Sequence, residues 1–179
     1  GLTETVGNFS FDFRVYEAGD AVKEKTGVAL PEETFEGVKK SDTCLFIAVG
    51  ETASEVILPL RQRLDLYANI RPARTYPNVR SSRPGVDLVI VRENTEDLYR
   101  RAEDGTDDWS VAMRIITKKA SERIARSAFE LARREGRKKV TCVHKANVMR
   151  MTCGLFKKAC EEVARQYPGT EFSDMYVDA

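Results

Sequence analysis

Short apolar runs alternate with amphipathic stretches along most of the chain. Residues 43–49 and 86–91 are dominated by apolar side chains, and residues 9–17 alternate between apolar and polar positions. Each pattern predicts a β-strand, and the two continuous runs predict buried strands.

Helical spacing is clearest over residues 117–135. Apolar side chains recur there at intervals of three and four, Thr117 is placed to cap the start, and Gly136 follows the end. A second helix is predicted over residues 152–167, which stop at a Pro-Gly pair.

Strands are predicted on both sides of this second helix, one over residues 138–144 and one from 175 to 178. Pro31 and Pro59 are each expected in the first turn of a helix, because proline farther inside costs about 3 kcal/mol. The polar segment 103–110 predicts an exposed arm or loop. Strands that alternate with helices indicate an α/β fold.

Composition excludes several broad classes of function. The 179 residues carry 29 basic and 28 acidic side chains, so no charge excess favours nucleic acid or a membrane. No apolar run approaches the roughly 20 residues of a membrane-spanning helix, and no signal peptide is expected. The cysteines form no CxxC pair, and Cys142, His144 and Cys153 match no zinc spacing. We expect a reduced, cytoplasmic protein.

Three arginines are candidate ligands for an anion. Arg61 and Arg71 bracket a short amphipathic segment, and Arg92 closes the apolar run before a polar cluster at 93–96. Guanidinium groups bind carboxylates or phosphates through paired hydrogen bonds, so three converging arginines would suit a small polyanion. On spacing alone, solvated surface arginines with carboxylate neighbours are the favoured explanation.

Three motifs carry a resemblance to a known family. They are LRQRLDLYANIRP at 60–72, VRENTEDLY at 91–99 and HKAN at 144–147. The chain resembles the β-decarboxylating dehydrogenases, which include the isopropylmalate, isocitrate and homoisocitrate dehydrogenases, and it looks most like the archaeal isopropylmalate enzymes. The likeness runs from about residue 16 to residue 179, with the motifs in the family's order.

The resemblance implies a two-domain α/β fold with a mixed sheet, like that of isocitrate and isopropylmalate dehydrogenases. Residues 1–66 would belong to the large, cofactor-side domain. Residues 67–179 would form the small, dimer-forming domain, with an arm around 100–115. Relative to that fold the chain looks truncated at both ends, and the active sites of a homodimer would be shared between subunits, with a tetramer left open.

The resemblance also implies individual roles. Arg61, Arg71 and Arg92 would bind the substrate carboxylates. Tyr99 would protonate the enolate that decarboxylation leaves. Lys145, contributed by the partner subunit, would assist removal of the hydroxyl proton.

Cofactor and metal roles are implied in the same way. Asp178 would ligate Mg²⁺ or Mn²⁺ across the dimer, and Asn147 would lie near the nicotinamide of NAD or NADP. Glu55, or its neighbours Glu51 and Ser54, would contact the nicotinamide ribose.

Each chemical role has a simpler alternative. A tyrosine pKa near ~10 suits a general acid only in a tuned site, so Tyr99 could simply cover a strand end. Lys145 could be a solvated lysine at a strand end. A lone Asp178 would hold magnesium poorly, because that ion prefers six oxygens. His144, the single histidine, is predicted to be structural.

The substrate is predicted from the residues that precede Arg61. Isocitrate enzymes carry a Ser-x-Asn pair there, whereas this chain has Glu55 and Ile57. Ile57 and Leu58 would line an apolar pocket, where an isopropyl group would gain roughly 1.5–3 kcal/mol. This favours 3-isopropylmalate and leucine biosynthesis.

Other substrates and functions stay open at this point. The string RENTE at 92–96 is common in isocitrate and homoisocitrate enzymes and points to a tricarboxylate. A non-catalytic subunit of the same fold is a further alternative. The expected ligand is in each enzymatic case a small hydroxy-di- or tricarboxylate, with no nucleic acid or membrane as partner.

Overall fold

A computed structural model describes residues 10–179, and the chain divides between Leu60 and Arg61 into two compact units. The first unit contains α1 (Asp20–Thr26), α2 (Glu32–Lys40) and most of α3 (Ala53–Arg63). The second contains β1 (Ala68–Arg74), β2 (Asp87–Glu93), a 3₁₀ turn (Leu98–Arg100), β3 (Glu103–Gly105), β4 (Ser110–Ala112), α4 (Lys118–Arg134), β5 (Lys139–His144), α5 (Thr152–Ala164) and β6 (Glu171–Tyr176). No helix within residues 10–179 is long and apolar enough to cross a membrane.

A carboxylate holds the start of α3 in the first unit. Asp20 accepts hydrogen bonds from the backbone N–H groups of Glu51 and Thr52, both at 2.9 Å, and from the Thr52 hydroxyl at 2.6 Å. Gly50 has φ of 86°, and a Cβ added there would collide with the Asp20 carboxylate. The turn therefore requires glycine. The buried apolar side chains of this unit are Val22, Ala29, Phe35, Val56 and Leu60.

The two strands predicted in the first unit do not form in the described part of the chain. Residues 10–17 and 43–49 have no β-structure, and residue 9 lies outside the described residues. Leu45 and Ile47 remain 84% and 72% exposed. A strand needs hydrogen bonds from a neighbouring strand, and no described segment supplies them to 43–49. The prediction was wrong because an apolar run does not specify its partner.

The start of α3 also differs from its prediction. The helix begins at Ala53, so Pro59 lies inside it and not in its first turn. Proline at this position cannot donate a hydrogen bond to the carbonyl of Glu55. Val56 and Leu60 are buried, and their packing outweighs that cost. Pro31 lies just before α2, at its N-cap position.

The second unit opens with an antiparallel pair of strands, β1 and β2. The strand predicted at 86–91 forms, but the prediction that it is buried was wrong. Leu88 and Ile90 are 45% and 54% exposed. Helix α4 packs against β2, and the alternate residues Val89 and Val91 are the better buried ones.

Helix α4 has the limits that the sequence predicts. The Thr117 hydroxyl caps it by accepting a hydrogen bond from the Ala120 N–H at 3.1 Å. Gly136, just beyond the last turn, has φ of 67°, a left-handed conformation that glycine adopts at little cost.

Strands β5 and β6 are parallel, and α5 connects them. The strand predicted at 138–144 and the helix predicted from 152 are confirmed, although the helix ends at Ala164. The strand predicted from 175 to 178 was placed wrongly, because β6 covers Glu171–Tyr176. The polar residues of β6 give no apolar pattern from which a strand could be predicted. They pair instead with side chains of β5: Glu171 with Lys139 at 2.8 Å and Ser173 with Thr141 at 3.0 Å. The core between these elements consists of Ala125, Phe129, Cys142, Cys160 and Val163.

The polar segment at 103–110 folds as a short hairpin. Strands β3 and β4 pair antiparallel, with Glu103 opposite Ala112. Trp109 and Val111 are 56% and 49% exposed, so the hairpin presents apolar side chains to solvent.

Candidate active site

The register of β1 and β2 determines where two of the candidate arginines lie. Asn69 stands opposite Arg92, and Arg71 stands opposite Ile90. Residues directly opposite each other share a face of the sheet, as do residues two apart on one strand. Arg71 and Arg92 are therefore diagonal neighbours on one face.

Tyr99 lies against this face of the β1–β2 pair, where it contacts Arg92. Arg92 donates a hydrogen bond from Nη2 to the Tyr99 hydroxyl oxygen at 2.7 Å, and its guanidinium carbon lies 5.0 Å from the ring centroid. Gln62 donates to the Tyr99 backbone carbonyl at 3.2 Å. Tyr99 is therefore held in place through both its side chain and its backbone carbonyl.

All three arginines act on the Tyr99 hydroxyl. Its pKa is lowered from the usual tyrosine value, first by the hydrogen bond and charge of Arg92. The charges of Arg61 and Arg71 lower the pKa further. Cations favour the phenolate only from nearby, because solvent screens their effect over distance. The structure therefore brings the three arginines and Tyr99 into one electropositive site.

The three arginines form no salt bridges in the described chain, and the nearby carboxylate on which Arg92 acts, Asp97, is paired with Arg114. Among residues 10–179, salt bridges involve other cations, and Arg61, Arg71 and Arg92 form none. The Nε of Arg71 donates instead to the neutral Asn69 side chain at 3.1 Å. The site is thus suited to an incoming anion.

Lys145 and Asp178 lie at the carboxyl ends of β5 and β6. The Lys145 Nζ is 2.6 Å from Oδ2 of Asp178. This hydrogen bond is the main reason that the pKa of Asp178 lies below the usual aspartate value. Asn147 follows two residues after Lys145 and is exposed. Ligands of α/β proteins commonly bind at this edge of a sheet.

A cleft of the second unit extends from Arg92 and Tyr99 to Lys145. It runs between β2 and β5 over helices α4 and α5, and Arg92, Tyr99 and Lys145 all line it. Arg92, Tyr99 and Lys145 thus lie on the walls of one cavity within a single chain, whereas the family resemblance assigns Lys145 to the site of the partner subunit.

The remaining candidates lie in the first unit, on α3. Glu55 forms an ion pair with Lys23, with Nζ and Oε1 2.7 Å apart. Ile57 and Leu58 are half-buried, and they precede Arg61 by four and three residues in the same helix. A ribose hydroxyl that bound Glu55 would compete with Lys23.

Asp178 fits a divalent metal as one contributing ligand. Within residues 10–179, no three histidine, cysteine or acidic side chains form a group that could hold a metal ion. Magnesium and manganese accept one or two protein carboxylates and take their other oxygens from substrate and water. A carboxylate is the right donor for such an ion, and Lys145 is its present partner.

An ion pair that sequence reasoning did not identify fixes the turn carrying Tyr99. Asp97 has φ of 63° and accepts two hydrogen bonds from Arg114, both at 2.6 Å. Arg114 also contacts Sδ of Met149 at 2.7 Å and Sγ of Cys153 at 3.8 Å. No local sequence pattern around Arg114 predicts its pairing with Asp97, since the two residues are 17 positions apart along the chain.

Comparison with known proteins identifies the family. Residues 2–179 match the family model described as isocitrate/isopropylmalate dehydrogenase. The chain belongs to this family. The predicted family and its α/β fold are thereby confirmed.

Several dehydrogenases are closely similar to the chain. The 3-isopropylmalate dehydrogenase of Archaeoglobus fulgidus is 56% identical over 94% of this chain and 52% of its own length. The isocitrate/homoisocitrate dehydrogenase of Thermus thermophilus is 46% identical over 93% of the chain and 52% of its own. The crystal structure of isocitrate dehydrogenase from Methylococcus capsulatus matches with a TM-score of 0.81 at 43% identity, covering 90% of this chain and 50% of that one. The chain spans about half the length of the relatives it matches.

Proposed function

We propose that the protein containing this chain oxidises and decarboxylates a 3-substituted malate, with hydride transfer to NAD or NADP. The observation that carries the proposal is the convergence of Arg61, Arg71 and Arg92, unpaired by described carboxylates, on the hydroxyl of Tyr99. Such a site binds a substrate with two carboxylates and offers a proton donor beside it.

The contacts of Tyr99 support its role as the acid. Arg92 donates to the phenolic oxygen, so the phenolic proton remains available for another acceptor. A pKa below the usual tyrosine value makes that proton easier to transfer. Tyr99 would deliver it to the carbon that carbon dioxide leaves.

Lys145 would act on the substrate hydroxyl, and Asp178 would help to hold Mg²⁺ or Mn²⁺. The ion, when bound, would stabilise the negative charge that develops on the enolate oxygen. Asn147 would face the nicotinamide, and Glu55 its ribose. Assembly as a cytoplasmic homodimer with shared sites belongs to the same proposal.

The substrate that we propose is 3-isopropylmalate. Ile57 and Leu58 offer apolar side chains where a tricarboxylate would need hydrogen-bond donors, and both are half-buried on α3. Relatives named 3-isopropylmalate dehydrogenase reach 56% identity, against 46% for the isocitrate/homoisocitrate enzyme. The second candidate is isocitrate or homoisocitrate, which the string RENTE at 92–96 favours.

The test is a substrate comparison with the full-length protein. Formation of reduced nicotinamide is followed by absorbance with 3-isopropylmalate, isocitrate or homoisocitrate, under NAD and NADP, with Mg²⁺ or Mn²⁺ present. We expect a clear preference for 3-isopropylmalate. A preference for a tricarboxylate would overturn the argument from the apolar pair, and silence with all three would favour a non-catalytic subunit.

A double variant sharpens the test. Glu55→Ser with Ile57→Asn installs the Ser-x-Asn pair and should move the ratio of kcat/KM values towards isocitrate by about tenfold or more, as expected when a site gains donors for a polar group. Glu24→Ser, an exposed position on α1, is the matched control and should leave the ratio unchanged.

A further inference from the structure

His144 is buried and has both ring nitrogens hydrogen-bonded. Its side chain is 1% exposed. Nδ1 accepts a hydrogen bond from the Ala146 N–H at 3.1 Å, so the neutral ring carries its proton on Nε2. That proton is donated to Oδ2 of Asp174, 2.9 Å away on β6. With both nitrogens occupied and no exposed edge, the ring cannot exchange protons with a substrate.

These bonds fix the two chain segments that carry Lys145 and Asp178. Ala146 follows Lys145 directly, so the bond to Nδ1 holds the backbone where the lysine leaves β5. The backbone carbonyl of His144 accepts from the Val177 N–H at 2.9 Å, one residue before Asp178. A single residue thus contacts both segments.

The acceptor of the ring proton is itself anchored. Lys157 on α5 donates to the same Asp174 oxygen at 2.9 Å. The bonds from His144 and Lys157 hold the pKa of Asp174 below the usual aspartate value, which keeps an ionised acceptor in place. The ring also meets Tyr176 edge-on, with centroids 5.3 Å apart.

We propose that His144 is a positioning residue that sets the geometry of the Lys145–Asp178 pair. It acts through the Ala146 N–H and Asp174 and touches no reacting atom. The importance of the pair for turnover rests on the proposed function. Removal of a residue that orients catalytic groups in this way typically lowers activity or metal affinity about ten- to a hundredfold.

Two amide substitutions separate the two bonds. In His144→Asn the side-chain oxygen can replace Nδ1 as acceptor for the Ala146 N–H, whereas in His144→Gln the terminal NH₂ can replace the Nε2 donor to Asp174. Cys142→Ala removes buried volume from the same face of β5 without changing either bond, so it serves as the control for simple loss of packing.

In the full-length protein we expect His144→Gln to lower kcat about ten- to a hundredfold. KM for the substrate should change little, because the arginines bind it. His144→Asn should retain most of the wild-type kcat, because its side-chain oxygen can still accept the bond from the Ala146 N–H. Equal kcat values in all four proteins, or an equal fall in Cys142→Ala, would overturn the proposal.

A readout without turnover separates this inference from the proposed function. Amide hydrogen exchange at Ala146 should be faster in His144→Gln than in the wild type, His144→Asn or Cys142→Ala. If the wild type oxidises none of the substrates, the proposed function fails and this measurement still decides the positioning. Unchanged exchange at Ala146 in His144→Gln would contradict it.

Discussion

A phenol beside three guanidinium groups differs from an isolated tyrosine in two ways. Arg92 occupies one lone pair of the Tyr99 oxygen, which leaves the proton to point towards a ligand. The combined positive charge lowers the pKa of the phenol. One cluster therefore binds an anion and prepares an acid for it.

Removal of the phenolic hydroxyl tests the acid directly. Tyr99→Phe keeps the ring over Arg92 and should lower kcat of the full-length enzyme by about 10²–10⁴, the usual contribution of a positioned acid. KM should change by much less. Steady-state kinetics with the preferred substrate measure both, and a kcat within threefold of wild type would contradict the role.

The electrostatic origin of the lowered pKa can be tested without turnover. A cation stabilises the phenolate, so Arg71→Gln should raise the pKa of Tyr99 and shift its titration to higher pH. The titration is followed by NMR of ring-labelled tyrosine, with Tyr99→Phe assigning the signal. Arg80→Gln, an exposed position on the β1–β2 connection, should leave it in place.

At the scale of the element, α4 shows how a short local signal defines a helix. Its cap is more than a single bond, because the Glu96 carboxylate accepts from both the backbone N–H and the hydroxyl of Thr117, at 2.8 and 2.7 Å. The family motif at 91–99 is thereby tied to the start of the helix that supports β2.

Loss of this cap should cost measurable stability. Thr117→Ala removes the acceptor for Ala120 and the donor to Glu96, and it should lower the free energy of unfolding by about 1 kcal/mol. Thr117→Ser should retain most of the stability. Urea unfolding followed by circular dichroism compares them, and equal midpoints for all three proteins would show that the cap contributes nothing.

Elements with local signals were predictable, and elements that depend on distant partners were not. The limits of α4 follow from Thr117, Gly136 and the apolar spacing between them. Segment 43–49 is as apolar as any strand, yet burial requires a partner that its own residues do not encode. Strand β6 shows the converse, since its polar residues are satisfied by β5.

At the scale of the whole molecule, one ion pair joins elements around the site that are separated in sequence. Asp97 and Arg114 join the turn of Tyr99 to the segment before α4, and Arg114 reaches the start of α5 through Cys153. The family resemblance supplied the individual arginines, Tyr99 and Lys145. Asp97 and Arg114 line the cleft together with Arg92, Tyr99 and Lys145, and Arg114 lies outside all three family motifs.

The Asp97–Arg114 pair should make stability depend on pH in the acid range. Arg114 depresses the pKa of Asp97 in the folded chain. The stabilisation is therefore complete above the unfolded carboxyl pKa of ~3.9 and is lost as pH falls through the lower folded value. Because both side chains are partly exposed, the pair contributes about 1 kcal/mol at neutral pH.

Asp97→Asn is the corresponding variant. It should be less stable than the wild type at pH 7 by that amount in urea unfolding, and the difference should shrink below pH ~3.5 as the wild-type carboxylate is protonated. Asp108→Asn, on the exposed hairpin, is the control and should track the wild type at both pH values. A difference that persists undiminished in acid would refute the assignment.

The uncovered segment 43–49 has a consequence for handling the isolated chain. Its sequence, TCLFIAV, contains no charge and no proline, and Leu45 and Ile47 lie largely in solvent. Stretches of this kind are prone to self-associate as intermolecular β-structure. Preparations of this polypeptide should accordingly show concentration-dependent aggregation that begins at this segment, and a lysine in place of Ile47 should suppress it.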